Sequence, residues 1–159
     1  MRLIVLSDSH GDDDTLRWML EQCWKQVGPV DAYVHCGDGM WDFGRVEQFI
    51  LRRDPTACLL GVKGNNDCGV DAPDRRVAHL GGAGIFITHG HNYRVKSTLD
   101  YVDRAAQEAG CSITLYGHTH IADMEMRRTL LINPGAACRG RLAVLEINDG
   151  KLRVDLLAF

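Results

Sequence analysis

The chain has 159 residues, of which 45% are hydrophobic and 25% charged, a composition typical of one globular domain with a buried core. Its 18 basic and 21 acidic residues give a net charge of -3, which excludes a chain-wide basic field of the kind that binds nucleic acid, although a local basic pocket stays compatible with it. We therefore expect a single domain over residues 1–159 that does not take duplex nucleic acid as its main substrate.

The first predicted element is a buried strand over residues 2–7, because a short apolar run there ends in a polar turn. The run is too short for the core of a signal peptide, and no later stretch reaches membrane-spanning length, so we expect a cytoplasmic protein without membrane contact. An amphipathic helix follows, and the aspartates at 12–14 are suited to cap its N-terminus. Its apolar face is predicted to consist of residues at helical spacing, namely Leu16, Met19, Leu20, Cys23, Trp24 and Val27.

Two further strands, at 31–36 and 57–63, alternate with a second predicted helix at 42–53. Cys23 in the first helix, and Cys36 and Cys58 in these strands, lie in apolar patterns, where a thiol behaves as a small buried hydrophobe. None of the six cysteines forms a C-x-x-C pair. We therefore expect free thiols instead of a disulfide framework.

The second half of the chain is mostly strand. RRVAHL and GIFITH flank GGAG and predict a hairpin, and a third helix is predicted over 97–110, where Ser97 and Asp100 resemble a capping box and Gly110 marks the end. Short strands follow over SITLYG, ADMEMR, TLLIN, RLAVLEI and KLRVDLLAF, the last two joined by a turn at Asp149 and Gly150. This order of elements predicts one α/β domain with an additional antiparallel sheet.

Polar side chains follow the ends of five successive predicted strands. Ligands of α/β sheets bind outside the carboxyl ends of the strands, where loops held by rigid strands can position functional groups. One such residue alone is usually a helix cap, a turn former or a structural histidine, but five loops in succession are hard to explain in that way. The remaining histidines, His35 and His79, lie inside strand patterns and are interpreted as structural. The strand-end residues are Asp8, His10, Asp38, Asn65, Asp67, His89, His91, His118 and His120.

A mixed set of Asp, Asn and His ligands suits borderline transition metals such as Mn²⁺, Fe²⁺, Zn²⁺ or Ni²⁺. The set exceeds what one four-coordinate zinc ion needs, so two ions are expected. Two cations about 3.5–4 Å apart must be screened from each other, and a shared carboxylate provides that screening.

The motifs D-x-H, G-D, G-N-x-D, H-G-H and G-H-T-H, in this order, resemble the calcineurin-like metallophosphoesterases, and in particular their small single-domain prokaryotic phosphodiesterase-like members. The segment INPGA, at 132–136, adds to the resemblance. The resemblance implies a two-sheet β-sandwich flanked by helices, with a dinuclear site at its rim and manganese as the first choice of metal.

The resemblance also implies a role for each strand-end residue. One ion would be held by Asp8, His10 and His120, and the other by Asn65, His89 and His118. Asp38 would bridge the two ions. Asp67 would orient its neighbours, and His91 would face the phosphate of the substrate.

The expected activity is hydrolysis of a small phosphoester, a diester more readily than a monoester, by a hydroxide that the two ions share. The sequence departs from many family members at Asn66, where they have a histidine that assists the leaving group. A carboxamide cannot deliver a proton at neutral pH, so that assistance would come from elsewhere or be dispensed with.

Two alternatives remain open at this point. The first is a metal-binding interaction scaffold of the retromer-subunit type, although that relative has lost the bridging aspartate that Asp38 supplies here. The second is a nuclease of the same superfamily, for which Arg94, Lys96 or the Arg127–Arg128 pair could contact phosphate. Trp41 follows Asp38 closely and is interpreted as a border of the substrate site, while edge strands and exposed aromatic residues are compatible with a homo-oligomer, a dimer or a tetramer.

Overall fold

The computed structural model describes residues 1–148 and 151–159, so the turn predicted at Asp149 and Gly150 lies outside the described residues. The helices are α1 (Asp13–Trp24), α2 (Met40–Arg53) and α3 (Asp100–Glu108). The strands are β1 (Arg2–Leu6), β2 (Ala32–His35), β3 (Cys58–Gly61), β4 (Arg75–Leu80), β5 (Ala83–Thr88), β6 (Ile113–Leu115), β7 (Ala122–Met126), β8 (Leu130–Pro134), β9 (Arg141–Asn148) and β10 (Lys151–Ala158). Over these two ranges, no helix combines the length and the apolar character that crossing a membrane requires.

The described strands form two five-stranded sheets. The first has the order β10-β9-β1-β2-β3, in which β1, β2 and β3 are parallel and β9 and β10 are antiparallel. The second has the order β4-β5-β6-β8-β7, with β5, β6 and β8 parallel and both edge strands antiparallel. Because these strands are parallel, their carboxyl ends and the loops that follow lie at the same end of each sheet.

An apolar core lies between the two sheets, where side chains of β1, β2 and β9 pack against side chains of β5, β6 and β8. On the outer face of the first sheet, the apolar stripes of α1 and α2 cover Ile4, Leu6 and Tyr33. On the outer face of the second sheet, Val102 and Ala106 of α3 cover Phe86 and Leu131. The predicted sandwich flanked by helices is therefore confirmed.

Several local predictions are also confirmed. The side chain of Asp12 caps α1 by accepting a 2.9 Å hydrogen bond from the main-chain N–H of Thr15. RRVAHL and the strand after it form the predicted antiparallel hairpin. Gly110, at a φ of 71°, follows the end of α3 in the left-handed region that glycine adopts without strain.

Three local predictions were wrong. Helix α1 ends at Trp24, so Val27 packs on the core from the loop beyond it. Helix α3 begins at Asp100, and its N-cap residue is Leu99, whose side chain makes no capping hydrogen bond. The predicted capping box at Ser97 is absent, and Thr98 instead accepts the hydrogen bond from the N–H of Asp100. Cys58 is exposed, because β3 is an edge strand of its sheet, whereas Cys23 and Cys36 are buried as expected.

Candidate metal centre

The five loops predicted to carry functional groups meet at one rim of the sandwich. The loops after β1 and β2 are joined by a hydrogen bond from the N–H of Asp8 to the carbonyl of Gly37, at 2.9 Å, and by one from the N–H of His10 to the carbonyl of Asp38, at 3.1 Å. The loops after β5 and β6 are joined by a 3.1 Å bond from the N–H of Gly117 to the carbonyl of His89. Residues that are far apart in sequence are therefore held side by side.

Asp8, His10 and His120 form the first group of metal-binding side chains, with donor atoms that lie within 4.8 Å of one another. The Nε2 atoms of the two histidines are 3.1 Å apart, and Oδ1 of Asp8 lies 3.1 Å from Nε2 of His120 and 3.8 Å from Nε2 of His10. The carboxylate is fully buried, while both imidazoles are partly open to solvent. This is the set that the sequence assigned to one ion.

Asp38, His89 and His118 form the second group. Nε2 of His89 lies 3.1 Å from Nδ1 of His118, 3.4 Å from Oδ2 of Asp38 and 3.2 Å from Oδ1 of Asn65. The other ring nitrogen of His89 contacts the carbonyl of Cys36 at 2.8 Å, which fixes the orientation of the ring. Four side chains thus converge where the sequence placed the second ion.

The geometry of both groups fits a cation. Donor atoms that share one ion at bond lengths of about 2.1 Å are separated by about 3.0–3.4 Å, and most of the separations in the two groups lie in this range. Oδ1 of Asp8 is buried and has no hydrogen-bond partner among the described residues, although two imidazole nitrogens lie near it. An unpaired buried carboxylate oxygen is costly, and a positive ion between these atoms would remove that cost.

The backbone is strained at the predicted ligands. Left-handed φ values are rare outside glycine, cost about 1–3 kcal/mol each, and persist where surrounding contacts enforce them, often at functional sites. In the part of the chain that the structure describes, six non-glycine residues have such values, and all but Arg94 are predicted ligands. These five are Asp8, His10, Asp38, His118 and His120, with φ between 51° and 69°.

Two glycines allow the loops to approach each other. A Cβ atom added to Gly64 would collide with Oδ1 of Asp38, and one added to Gly117 would lie 2.8 Å from Oδ2 of Asp8 and collide with the Ser7 hydroxyl. The glycines that precede Asn65 and His118 are therefore required by space.

Asp67 orients its neighbours instead of pointing at either group. Its Oδ2 accepts hydrogen bonds from the N–H groups of Asp38, at 2.7 Å, and Gly64, at 2.8 Å, while Oδ1 accepts two more, at 2.9 Å, from Gly39 and Met40. These bonds tie the loop after β3 to the loop after β2 and place a buried carboxylate at the positive end of α2.

Asn66 is committed to Asp38. Its main-chain N–H donates to Oδ1 of Asp38 at 2.7 Å, and its side-chain amide donates to Oδ2 at 2.6 Å. The residue that occupies the family's usual histidine position therefore holds the carboxylate that the sequence assigned to both ions.

Electrostatics favour ligating forms at Asp38 and His118. Burial would raise the pKa of Asp38, but hydrogen bonds with His89 and Asn66 outweigh it and hold the pKa below its ordinary value. Burial, helped by His89, lowers the pKa of His118 to about 4. An ionised carboxylate and a neutral imidazole are the forms that bind metal, so both residues are prepared for it near neutral pH.

His91 lies beside the second group without belonging to it. Its ring centroid is 5.3 Å from that of His89 and 6.1 Å from that of His118. Its Nδ1 is buried and has no hydrogen-bond partner among residues 1–148 and 151–159. Burial, followed by the nearby His89, lowers the pKa of His91, so the ring is neutral near pH 7.

Several supporting residues were missed from the sequence. Ser7 donates to Oδ2 of Asp8 at 2.6 Å, which leaves Oδ1 as the free oxygen. The amide of Asn133 donates to the carbonyl of Gly117 and the hydroxyl of Thr119, and so supports the loop that carries two of the imidazoles. Asn133 lies in INPGA, a segment that belongs to the family resemblance but to which the sequence assigned no role. Its presence was the one sequence signal that could have pointed to Asn133.

A cleft of about 360 Å³ opens beside the two groups. It includes His10 from the first group and Asp38 from the second, so it adjoins both. Its other walls are formed by the first turns of α2 and by the loop after β3, with Trp41 at its border as the sequence suggested.

Comparison with known proteins agrees with this geometry. The family model of the calcineurin-like phosphoesterase superfamily domain matches residues 1–150. The probable metallophosphoesterase YsnB of Bacillus subtilis is 35% identical over 137 residues, which cover 86% of this chain and 75% of that protein. The crystal structure of a predicted phosphoesterase from Streptococcus pneumoniae superposes with a TM-score of 0.77 at 33% identity, over 99% of this chain and 88% of the other.

A further neighbour shows the fold alone. A single mutant of Vps29 from Entamoeba histolytica superposes with a TM-score of 0.71 at 20% identity, over 100% of this chain and 99% of the other. On the family match and the 35% identical relative, together with the ordered motifs that converge at one rim, the chain belongs to the calcineurin-like phosphoesterase superfamily.

Proposed function

We propose that the chain hydrolyses a small phosphodiester with the help of two divalent transition-metal ions, manganese in the first instance. The observation that carries the proposal is the pair of adjoining donor groups, with the unpaired Oδ1 of Asp8 in one and Asp38 in the other. The superfamily implies divalent metal ions, and a mixed set of carboxylate, carboxamide and imidazole donors suits Mn²⁺, with Zn²⁺, Fe²⁺ and Ni²⁺ as alternatives.

The residues would divide the work as follows. Asp8, His10 and His120 would hold one ion, Asn65, His89 and His118 would hold the other, and Asp38 would serve both. When bound, such a pair of ions supplies Lewis acidity toward phosphoryl oxygens and lowers the pKa of water enough to give a nucleophile near neutral pH.

His91 would bind the substrate phosphate. Its ring lies beside the second donor group, where a donated hydrogen bond to a non-bridging oxygen would orient the phosphorus for in-line attack and offset the charge that develops there. The side-chain amide of Asn66 donates one hydrogen bond to Asp38 and cannot deliver a proton at neutral pH, so the chain does not supply a proton to the leaving group from that position. Esters with good leaving groups should therefore be cleaved fastest.

The test is a screen of metal-depleted protein, reconstituted with Mn²⁺, against bis(p-nitrophenyl) phosphate and p-nitrophenyl phosphate. We expect metal-dependent turnover of both, with the diester preferred, and little turnover in EDTA. Preference for the monoester would overturn the diesterase assignment.

A matched pair of variants tests the bridging role. Asp38→Asn should lower turnover of the diester by at least about 100-fold and reduce the amount of bound Mn²⁺, because a carboxamide cannot supply an anionic oxygen to both ions. Asp123→Asn, a change of the same kind at an exposed position of β7, should leave both unchanged. An Asp38→Asn variant with full turnover and full metal content would show that the bridging role is wrong.

The alternative is a metal-binding interaction scaffold. The fold is shared with Vps29, a protein of the type that this alternative invokes, but the likeness carries no more than the fold. The complete donor set around Asp38 favours catalysis. A fully metallated protein that hydrolyses none of the esters would favour the scaffold.

A further inference from the structure

Trp41 is a large aromatic side chain that is left exposed beside the metal-binding groups. It is 61% exposed, although it lies in the first turn of α2, three residues after Asp38. The other two tryptophans have aromatic neighbours, since Trp18 meets the edge of Phe159 and Trp24 packs against Phe49. Within the described ranges, no ring packs against Trp41. Its indole face is therefore available to a partner.

Trp41 lies at a concave part of the surface. It borders the cleft of about 360 Å³ that also contains His10, Asp38 and Asn66, and this volume lies in the range of small-molecule sites. A group that covers the indole face in this cleft is therefore close to anything bound between His10 and Asp38.

The cleft also carries a cation on α2, one helical turn after Trp41. Arg45 lines it, and its side chain is 60% exposed. Nη1 of Arg45 lies 3.5 Å from Asp13 and 3.8 Å from Asp42, two long and partly solvated contacts that constrain the guanidinium weakly. The guanidinium can therefore turn toward a polar or anionic edge of a ligand.

We propose that Trp41 is the stacking platform of a subsite that takes a planar aromatic group. This group belongs to the alcohol that is esterified to the scissile phosphate, and the expected group is a nucleobase carried by a sugar. This inference rests on the proposed function and narrows its substrate class to nucleotide-like esters. Stacking on an indole tolerates any base, because every base has a π face, and Arg45 supplies donors for its polar edge. Trp41 acts as a specificity residue, while phosphate binding stays with the strand-end residues.

The experiment compares two monophosphates that differ in the base, AMP and ribose 5-phosphate, by isothermal titration calorimetry of the Mn²⁺-loaded protein. We expect AMP to bind at least about tenfold more tightly, which corresponds to about 1.4 kcal/mol. Trp41→Ala should abolish this difference without changing the affinity for ribose 5-phosphate, and Trp41→Phe should retain part of it. Trp18→Ala is the matched control, because Trp18 is also exposed but does not line the cleft, and it should keep the full difference.

Three results would overturn the proposal. The first is equal affinity of the wild type for AMP and ribose 5-phosphate, and the second is an equal loss of affinity for both ligands in Trp41→Ala. The third is a Trp41→Ala variant that changes its oligomeric state in gel filtration but keeps the preference for AMP. Phenyl phosphate is a third ligand. If it matches AMP, the subsite takes any aryl group, and if it matches ribose 5-phosphate, the subsite takes a nucleobase; both results support stacking. The two proposals fail separately. An AMP preference without hydrolysis of any ester rejects the enzyme and keeps the subsite, whereas hydrolysis without the preference does the reverse.

Discussion

Asp67 illustrates how one carboxylate can support a group of candidate metal ligands without belonging to it. Both of its oxygens are occupied by four main-chain N–H groups, two of which belong to Asp38 and Gly64. Its function is therefore to hold Asp38 in its strained left-handed conformation, at a φ of 55°, where the carboxylate faces the neighbouring imidazoles.

Replacing Asp67 with Asn should therefore harm both stability and metal binding. The amide group of Asn cannot accept, so about two charge-assisted hydrogen bonds are lost, and the free energy of unfolding should fall by about 2–4 kcal/mol. The affinity for Mn²⁺ should fall by about 10–100-fold. Urea unfolding in EDTA and Mn²⁺ titration measure the two effects. Asp71→Asn, at an exposed position of the same loop, is the control, and equal behaviour of the two variants would contradict the positioning role.

The sequence predicts which loops carry ligand-type side chains because residue type and position after a strand are both visible in the chain, while the roles of these residues stay predictions. The structure brings Asp8, His10 and His120 together, and Asp38, His89 and His118 together, as expected. The sequence could not reveal the partners that hold these residues, such as Ser7 and Asn133, because a hydroxyl or amide has no distinctive pattern until its tertiary contacts are known.

At the scale of elements, the loops that follow β2 and β3 depend on a glycine where they cross. Gly64→Ala should force the Asp38 loop to move, because the added Cβ meets both the side chain and the main chain of Asp38. We expect a loss of about 1–3 kcal/mol of stability from this overpacking, together with loss of Mn²⁺ binding.

Gly44→Ala is the matched change. Gly44 is exposed in α2 and a Cβ there has no atom within 4 Å, so the substitution should stabilise the protein by about 0.5–1 kcal/mol through helix propensity. Thermal or urea unfolding of both variants compares them. If Gly64→Ala proved as harmless as Gly44→Ala, the crossing of the loops would be wrong.

The predicted elements were mostly correct in type and less accurate at their ends. Periodicity identifies a buried face, but the residue at which α1 ends is decided by the turn that follows it. The exposure of Cys58 depends on β3 being an edge strand, and strand order is a property of the whole sheet that the strand's own residues do not encode. For the same reason, the sequence did not predict that β8 lies between β6 and β7 in the second sheet.

At the scale of the whole molecule, His35 links stability to pH. It is fully buried, its Nδ1 accepts from the N–H of Gly37, and its Nε2 contacts the Ser9 hydroxyl, so it is held neutral. Burial lowers the pKa of His35 to about 4. Because the unfolded chain takes up a proton near pH 6.5 and the folded chain does not, the stability contributed by His35 is complete above that pH and is lost as the pH falls toward 4.

The wild type should therefore lose about 2 kcal/mol more stability between pH 7 and pH 5 than His35→Asn, which keeps an acceptor for Gly37 but does not titrate. Urea unfolding in EDTA at both pH values measures the difference, and the absence of metal keeps ligand titration out of it. Comparison of the changes, instead of the absolute stabilities, separates this effect from any packing loss in the variant. Parallel curves for the two proteins would show that His35 does not carry the pH dependence.

The central claim is that two cations bind side by side at the rim of the sandwich, between donor groups that the fold brings together. Equilibrium dialysis of metal-depleted protein against Mn²⁺, with the bound metal counted per chain, tests it most directly. We predict two ions per chain at saturation. Saturation at one ion, or no retention of Mn²⁺ or Zn²⁺ at all, would contradict it.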